Sequence, residues 1–536
     1  MIIPLEHKLR VRALRKTVAV CALALFAMLA LSSAPAAADE DSQNVAQAAT
    51  LIRSGKLDAA EELLWKVLTQ HPDDAEALTL LGSIRLQQQR FAESETLLHR
   101  AITLVPDRLP AHIKLAQVFR AQGETDEEIT ALRDAERLAP TDADVNCSLA
   151  AAYLKKNDYH DALEALERIP GAHRPDSALP LMAASYLGLN RVSEAQALAP
   201  EVTARAAKDP ALRVEFAKVL LDFDFTDDAL ALLEIAEKQQ RPTSELFFML
   251  GRARERKGEL VPAQKDFQRA IDLNPTSVDA LQALARIFAT QELWAKSLEL
   301  LSRARTVAPD SPDVLRKFAA ASLRAGHTAD AVAAARQLVK LRPDEPEALY
   351  LLGVAQLQNG DKEVARGTIE NYTKLRPQDP LAFLALGMVG ASIHDFAVAR
   401  TNFEQSIKLD PNHIDAYYQL ALIFKEQGDN RAAITELEKA AAIDSKHVQT
   451  QALLGTLYLM QQDYVKAQEH LTRAEELAPN SPDTHYQLGL LFARLNQPDH
   501  AQREMDQFRK LKDMAHPSPA PPGDRPATSA PPDPPS

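Results

Sequence analysis

Residues 448–481 read VQTQALLGTLYLMQQDYVKAQEHLTRAEELAPNS, and the pattern in this stretch decides the fold. Three small residues lie where two antiparallel helices would cross closely: Gly455, Ala467 and Ala474. Apolar residues between them fill the remaining space. Pro479 cannot continue a helix, so it predicts the end of the second one. The stretch therefore predicts a pair of antiparallel helices followed by a turn.

The same spacing recurs along the chain. Prolines separated by 34 residues lie at Pro275, Pro309, Pro343, Pro377 and Pro411. A fixed period of this length is typical of a stack of one repeated unit, not of a globule with a central pocket. About fourteen such units fit into residues 41–515. Five glycines are expected to take the left-handed conformation that ends the first helix of a unit: Gly123, Gly258, Gly326, Gly360 and Gly428.

Two further units carry matching residues at matching positions. Residues 244–277 contain Leu250, Gly251, Ala263, Phe267, Ala270 and Pro275, and residues 380–413 contain Leu386, Gly387, Ala399, Phe403 and Pro411. This pattern resembles the tetratricopeptide repeat family. The resemblance implies an all-α fold, a right-handed α-α superhelical solenoid of about fourteen repeats.

The regularity of the pattern divides the chain. Residues 41–175 hold repeats 1–4, residues 176–243 hold irregular repeats 5 and 6, and residues 244–515 hold repeats 7–14. Pro200 falls inside the predicted second helix of repeat 5, where a proline breaks or kinks a helix. We therefore expect a distorted joint near 170–210, either a hinge or a local kink. Residues 516–536 are rich in proline and predict a disordered tail.

The N-terminus has the three parts of a secretory signal peptide. A basic segment precedes the apolar run TVAVCALALFAMLAL at 17–31, and the small residues SSAPAAA follow at 32–38. Cleavage is predicted between Ala38 and Asp39. The alternative is an uncleaved anchor through residues 17–38, because the apolar stretch approaches the length of a membrane span. The predicted location is outside the cytoplasm, in the periplasm or cell envelope, with inner-membrane attachment as the alternative.

Composition and motifs exclude several functions. The net charge is −13, which disfavours binding to nucleic-acid phosphates. The sequence contains no nucleophile elbow, HExxH motif, phosphate-binding loop or CxxC motif, and no stretch outside the repeats is long enough for a catalytic domain. The chain is therefore predicted not to be an enzyme, and no cofactor or metal is predicted. Cys147 is expected to be a small buried residue and not a reactive thiol.

The family resemblance implies that first helices line a concave groove. Numbering each unit from 1 to 34, with proline at position 32, gives six basic candidates in the groove: Lys218, Arg252, Arg256, Arg286, Arg316 and Arg324. Aromatic and aliphatic candidates follow: Tyr350, Met388, Tyr418, Leu422, Tyr486 and Leu490. The basic set would suit an acidic segment, and the apolar set an extended peptide or a partner helix. The alternatives are solvated helix faces and packing between repeats.

These features favour an exported, non-enzymatic scaffold that binds a peptide or a partner protein. Envelope assembly, secretion and export of a surface polymer are the settings that the resemblance suggests. The alternative functions are a polysaccharide-binding protein, for which the tyrosine series is the only hint, and a membrane-tethered adaptor with the same groove.

Overall fold

The computed structural model describes residues 40–239 and 241–515, and every regular element in these ranges is a helix. The chain divides into two compact units, Met1–Asn274 and Pro275–Ser536. The predicted signal segment, including Ala38 and Asp39, and the predicted tail at 516–536 lie outside the described residues. Within the described ranges, no helix is both long enough and apolar enough to cross a membrane.

The described part of the first unit contains seven helix pairs, which we number repeats 1–7. The helices are α1 (40–53), α2 (Leu57–Gln70), α3 (Ala75–Gln87), α4 (Phe91–Leu104), α5 (Leu109–Gln122), α6 (Thr125–Leu138), α7 (Ala143–Lys155), α8 (Tyr159–Glu167), α9 (Ala178–Gly188), α10 (Val192–Gln196), α11 (Ala199–Arg205), α12 (Ala211–Asp222), α13 (Thr226–Gln239), α14 (Ser244–Arg256) and α15 (Leu260–Leu273). In repeat 5, α10 and α11 together take the place of the second helix.

The described part of the second unit contains seven further pairs, repeats 8–14. The helices are α16 (Val278–Thr290), α17 (Trp294–Val307), α18 (Pro312–Arg324), α19 (Thr328–Leu341), α20 (Pro346–Gln358), α21 (Lys362–Leu375), α22 (Pro380–Ser392), α23 (Phe396–Leu409), α24 (Ile414–Glu426), α25 (Asn430–Ile443), α26 (Val448–Met460), α27 (Tyr464–Leu477), α28 (Pro482–Arg494) and α29 (Pro498–Ala515). The predictions of an all-α repeat fold and of about fourteen repeats are confirmed.

Each described pair turns at one residue with positive φ. These residues are Gly55, Gln89, Gly123, Asn157, Asn190, Asp224, Gly258, Glu292, Gly326, Gly360, His394, Gly428, Gln462 and Asn496. They follow one another at 34 residues, except for 33 between Asn157 and Asn190. The five predicted glycines are among them, which confirms that prediction. Eight turns use another residue, although the left-handed conformation costs such residues about 1–2 kcal/mol.

The two helices of a repeat meet where a small residue faces a bulky one sixteen positions later. A Cβ atom built on Gly387 would lie 2.4 Å from Cε1 of Phe403, and one on Gly251 would lie 2.6 Å from Cδ1 of Phe267. Both phenylalanines are fully buried. Glycine at position 8 is therefore what admits an aromatic ring at position 24.

Repeat 5 departs from the pattern as a consequence of its prolines. Its second helix is replaced by α10, of five residues, and α11, of seven. Pro200 lies in the first turn of α11. The N–H groups of that turn have no hydrogen-bond partner within the helix, so a proline there costs the helix no hydrogen bond. The helix is thus interrupted before Pro200 and is not kinked at it. That residues 170–210 act as a hinge, and the division of the repeats at this segment, stay predictions.

Candidate functional site

The basic candidates of the first unit lie on α12 and α14. Lys218 is exposed on α12. Arg252 Nη2 lies 3.0 Å from Asp222 Oδ1, and Arg256 Nη1 lies 2.8 Å from Asp224 Oδ1. The aspartates precede their arginines by 30 and 32 residues. Asp222 is the last residue of α12, and Asp224 lies in the turn that follows it. The two arginines therefore link α14 to α12, and the aspartates offset the charge that they would offer an anion.

The basic candidates of the second unit lie on α16 and α18. Arg286 is exposed on α16. Arg316 forms an ion pair with Glu345, which offsets its charge within the protein. The guanidinium carbon of Arg324 lies 5.8 Å from the centroid of the Trp294 ring, in a cation–π arrangement. Arg286 and Arg324 share a site, whereas Lys218, Arg252 and Arg256 belong to the other unit.

That site is an apolar cavity of about 270 Å³ between α16, α17 and α18, which we call the Trp294 slot. Its apolar lining consists of Ala285, Ala289, Trp294, Leu301, Ala320 and Ala321. Arg286, Lys317 and Arg324 also border it. Lys317 Nζ lies 2.7 Å from Asp313 Oδ2 and 2.9 Å from Gln282 Oε1, so its position is fixed. The slot thus combines an apolar interior with cationic side chains.

Trp294 and the small residues beside it are not among the groove candidates that the sequence pattern predicts. Trp294 is the first residue of a second helix, at position 17, and groove residues were sought only on first helices. A signal was nevertheless present. Position 9 carries Ala320 in repeat 9, whereas the next three repeats carry Val354, Met388 and Leu422 there.

The tyrosine candidates pack against neighbouring rings. Ring centroids lie 5.4 Å apart for Tyr350 and Tyr372, 5.8 Å for Tyr418 and His447, and 5.3 Å for Tyr486 and Phe508. Tyr350 and Tyr418 are half-buried, and burial raises the pKa of each phenol. Tyr486 keeps 39% of its surface exposed.

The aliphatic candidates differ in exposure. Met388 is half-buried against a cluster that includes Leu384 and Phe403. Leu422 is half-buried against the cluster of repeats 12–14. Leu490 keeps 36% of its surface exposed. The outermost apolar side chains of this series are therefore Leu490 and Tyr486, both in repeat 14.

A second opening, of about 1000 Å³, lies beside α25, α26 and α27. Its polar groups already have partners. Tyr458 Oη donates to Glu438 Oε1 at 2.5 Å, and Lys466 Nζ lies 3.2 Å from the same hydroxyl. The His470 ring stacks on Tyr458 at 5.6 Å, and its Nδ1 lies 2.7 Å from Gln451 Oε1. These hydrogen bonds and ring contacts join neighbouring helices, so the side chains that form them have a structural role.

Two groups with nucleophilic or metal-binding chemistry are used structurally. Burial raises the pKa of the Cys147 thiol to about 11, which keeps it protonated and unreactive near neutral pH. His485 lies close to Glu475 and Glu504. Its Nδ1 lies 2.7 Å from Glu504 Oε2 and its Nε2 lies 2.9 Å from the Pro479 carbonyl oxygen, so both ring nitrogens are engaged.

Comparison with known families agrees with this geometry. Tetratricopeptide repeat models match residues 51–118, 262–312, 317–380, 402–435 and 424–483. The chain is a tetratricopeptide repeat protein. Proteins of this family generally bind other proteins or peptides, on the extended surfaces that stacked repeats create. No curated protein matches this tetratricopeptide repeat chain.

Several solved structures are similar to it at low sequence identity. A tetratricopeptide repeat protein from Parabacteroides merdae is 20% identical with a TM-score of 0.42, over 46% of this chain and 98% of its own. Yeast Tom70 is 15% identical with a TM-score of 0.39, over 83% and 97%. The APC/C hetero-tetramer Cut9–Hcn1 is 16% identical with a TM-score of 0.38, over 84% and 96%.

Proposed function

We propose that this tetratricopeptide repeat protein is an exported, non-enzymatic scaffold that holds a partner protein along its first helices. The observation that carries the proposal is the series of first-helix side chains that are exposed at the surface of the repeats. Lys218, Arg286 and Arg324 are exposed, and so are Tyr486 and Leu490. A stack of repeats offers such side chains at regular intervals, which suits an extended partner.

The proposal of export rests on the sequence of residues 1–38. N-terminal sequencing of the protein recovered from a bacterial envelope fraction should start at or near Asp39. Recovery of an intact N-terminus in the membrane fraction would instead support the tethered adaptor. Recovery of the intact chain in the cytoplasm would refute export.

Binding by first helices is tested with a charge-reversal variant. We choose Lys218→Glu together with Arg286→Glu, one exposed first-helix position in each unit. Lys265→Glu together with Lys340→Glu is the matched control, with one change in each unit on an exposed second-helix position. Partners captured from envelope extract by the native chain should be lost from the first variant and kept by the control. Equal capture by all three chains would refute the use of this surface.

Polysaccharide binding stays the alternative, and the structure favours it less. Sugar rings stack on open aromatic faces, whereas Tyr350 and Tyr418 are half-buried against Tyr372 and His447. Tyr486 is the most exposed of the three, at 39%.

A further inference from the structure

The last described helix, α29, is held in place mainly by α28, the first helix of the same repeat. Side chains of the two helices meet along the whole interface. The pairs are His485 with Glu504, Tyr486 with Phe508, Gly489 with Met505, and Phe492 with His500. The first of these pairs contains two ionisable groups, so the docking of α29 depends on how that pair is protonated.

One nitrogen of the His485 ring is committed to the backbone. In repeats 3, 4, 13 and 14, a side-chain nitrogen at position 4 lies within hydrogen-bond distance of the carbonyl oxygen six residues earlier. These side chains are His112, Asn146, Gln451 and His485, at 2.8, 3.0, 3.1 and 2.9 Å. A carbonyl oxygen can only accept, so the nitrogen that faces it must carry the hydrogen. Nε2 of His485 therefore donates its hydrogen to the carbonyl oxygen of Pro479.

The other nitrogen of the ring faces a carboxylate of α29. Nδ1 of His485 lies 2.7 Å from Glu504 Oε2, and one of two atoms at this distance must carry a proton. Because the Nε2 hydrogen is already bound to Pro479, loss of this second proton leaves the lone pair of Nδ1 facing a charged oxygen. The contact between α28 and α29 is therefore attractive only while the pair holds the second proton.

The surroundings of His485 favour the protonated ring. Burial alone would lower the pKa of His485, but the hydrogen bonds to Glu504 and Pro479 and the charges of Glu504 and Glu475 raise it above its usual value of 6.5. Glu475 lies on α27, whereas α26, which also packs on α28, has no acidic or basic residue. The acidic groups that act on the ring are thus Glu504 from α29 and Glu475 from α27.

We propose that His485 is a pH-sensitive clamp that holds α29 on α28 while its ring is protonated and loosens it as the pH rises. The inference goes beyond the proposed scaffold function and does not depend on it. Because the pKa of His485 is raised in the folded chain, its contribution is complete below pH 6.5 and is lost as the pH rises through the raised value. Opening of α29 uncovers the side of α28 that carries Tyr486 and Gly489, which Phe508 and Met505 contact.

The test is hydrogen exchange of the full chain, measured by mass spectrometry at about pH 6 and about pH 8.5. Exchange rates are divided by the intrinsic rates at each pH, so that they report the opening of each helix. Opening of α29 should be about tenfold more frequent at the higher pH, the effect expected for one charged hydrogen bond. Helices α20 and α21, which contain no histidine, are the internal reference. Equal opening of α29 at the two pH values would overturn the proposal.

Two variants remove the titrating contact in different ways. In Glu504→Gln, the amide can accept from a protonated ring or donate to a neutral one, so opening of α29 should no longer depend on pH. In His485→Gln, the new side chain can donate to the preceding turn, as Gln451 does in repeat 13, but it does not titrate. Because Glu504→Gln leaves His485 in place, it tests the clamp even where His485→Gln disrupts repeat 14. A native pH dependence in both variants would refute the clamp.

His500→Gln is the matched control, because His500 is a second histidine between the same two helices. Its ring centroid lies 5.2 Å from that of Phe492. This variant should keep the pH dependence of the native chain. If the dependence instead disappears in His500→Gln and survives in His485→Gln, the titrating group is the other histidine and the proposal is wrong.

Discussion

Adding one methyl group at Gly387 should destabilise repeat 11. The new Cβ would lie 2.4, 2.5 and 2.9 Å from three carbons of the Phe403 ring. Because Phe403 is fully buried, its ring cannot move aside into solvent. Overpacking of this kind costs about 1–3 kcal/mol. Alanine also gains about 1 kcal/mol over glycine inside a helix, so we expect Gly387→Ala to lower the free energy of opening α22 and α23 by a net amount of up to about 2 kcal/mol.

Hydrogen exchange measured by mass spectrometry on the full chain is the appropriate assay, because repeat arrays open locally and need not unfold in one step. Amides of α22 and α23 should exchange up to about 30-fold faster in Gly387→Ala. The control is Gly367→Ala in α21, where a Cβ meets no atom within 4 Å. Exchange in α21 should slow instead, since alanine favours a helix by about 1 kcal/mol over glycine.

A second substitution tests whether the loss of stability comes from the clash with Phe403 or from any change at Gly387. Phe403→Leu in the Gly387→Ala background should restore much of the lost protection, because two other repeats of this unit already pair alanine with leucine, as Ala285 with Leu301 and Ala421 with Leu437. The two changes should therefore couple favourably by about 0.5–3 kcal/mol. Additive effects, or unchanged exchange in Gly387→Ala alone, would refute the packing argument.

Three further predictions concern single sites. Glu292→Gly should add about 1 kcal/mol of stability, because Glu292 adopts φ 59° in a turn that glycine takes without strain; unchanged exchange in α16 and α17 would contradict this. Arg120→Gln should cost about 1.5 kcal/mol, because the buried Glu128 carboxylate loses a charged hydrogen-bond partner 2.5 Å away but keeps Lys155 Nζ at 2.9 Å; Glu128→Gln should recover part of the loss in denaturant unfolding. A hydrogen bond from Arg85 lowers the pKa of Glu61 from 4.5 to about 2, so its stabilisation is present above pH 4.5 and is lost as pH falls toward 2. Glu61→Gln should flatten this dependence of stability on acid pH. The measurement is acid unfolding monitored by Trp65 fluorescence, in chains whose other tryptophan is replaced by phenylalanine. The same acid profile with and without Glu61→Gln would contradict the prediction.

The sequence was sufficient to predict the helix pairs but only the glycine turns between them. Prolines and small residues recur because they are required by backbone geometry, so they report the fold directly. The left-handed turn residue is glycine in only six of the fourteen described pairs, and Glu292 or His394 gives no such signal. Surrounding helices hold these residues in a conformation that local preference disfavours.

The basic candidates show a different limit of sequence reasoning. The 34-residue spacing correctly placed Arg252 and Arg286 on first helices. It could not show that Arg252 reaches Asp222, 30 residues earlier, because the pairing of long side chains depends on rotamers and on the preceding repeat. Charge counted along a helix therefore overstates the charge that a partner would meet.

The Gly387–Phe403 contact and the Trp294 slot are opposite consequences of small residues in a helix stack. Glycine at 387 makes room for a ring of its own repeat, whereas Ala320 leaves a space that the packing of repeats 8 and 9 keeps open. Each repeat contacts only its neighbours, so a cavity in one place does not weaken the whole array. A repeat protein can therefore hold a cavity where one position carries a smaller residue than its neighbouring repeats do, as at Ala320.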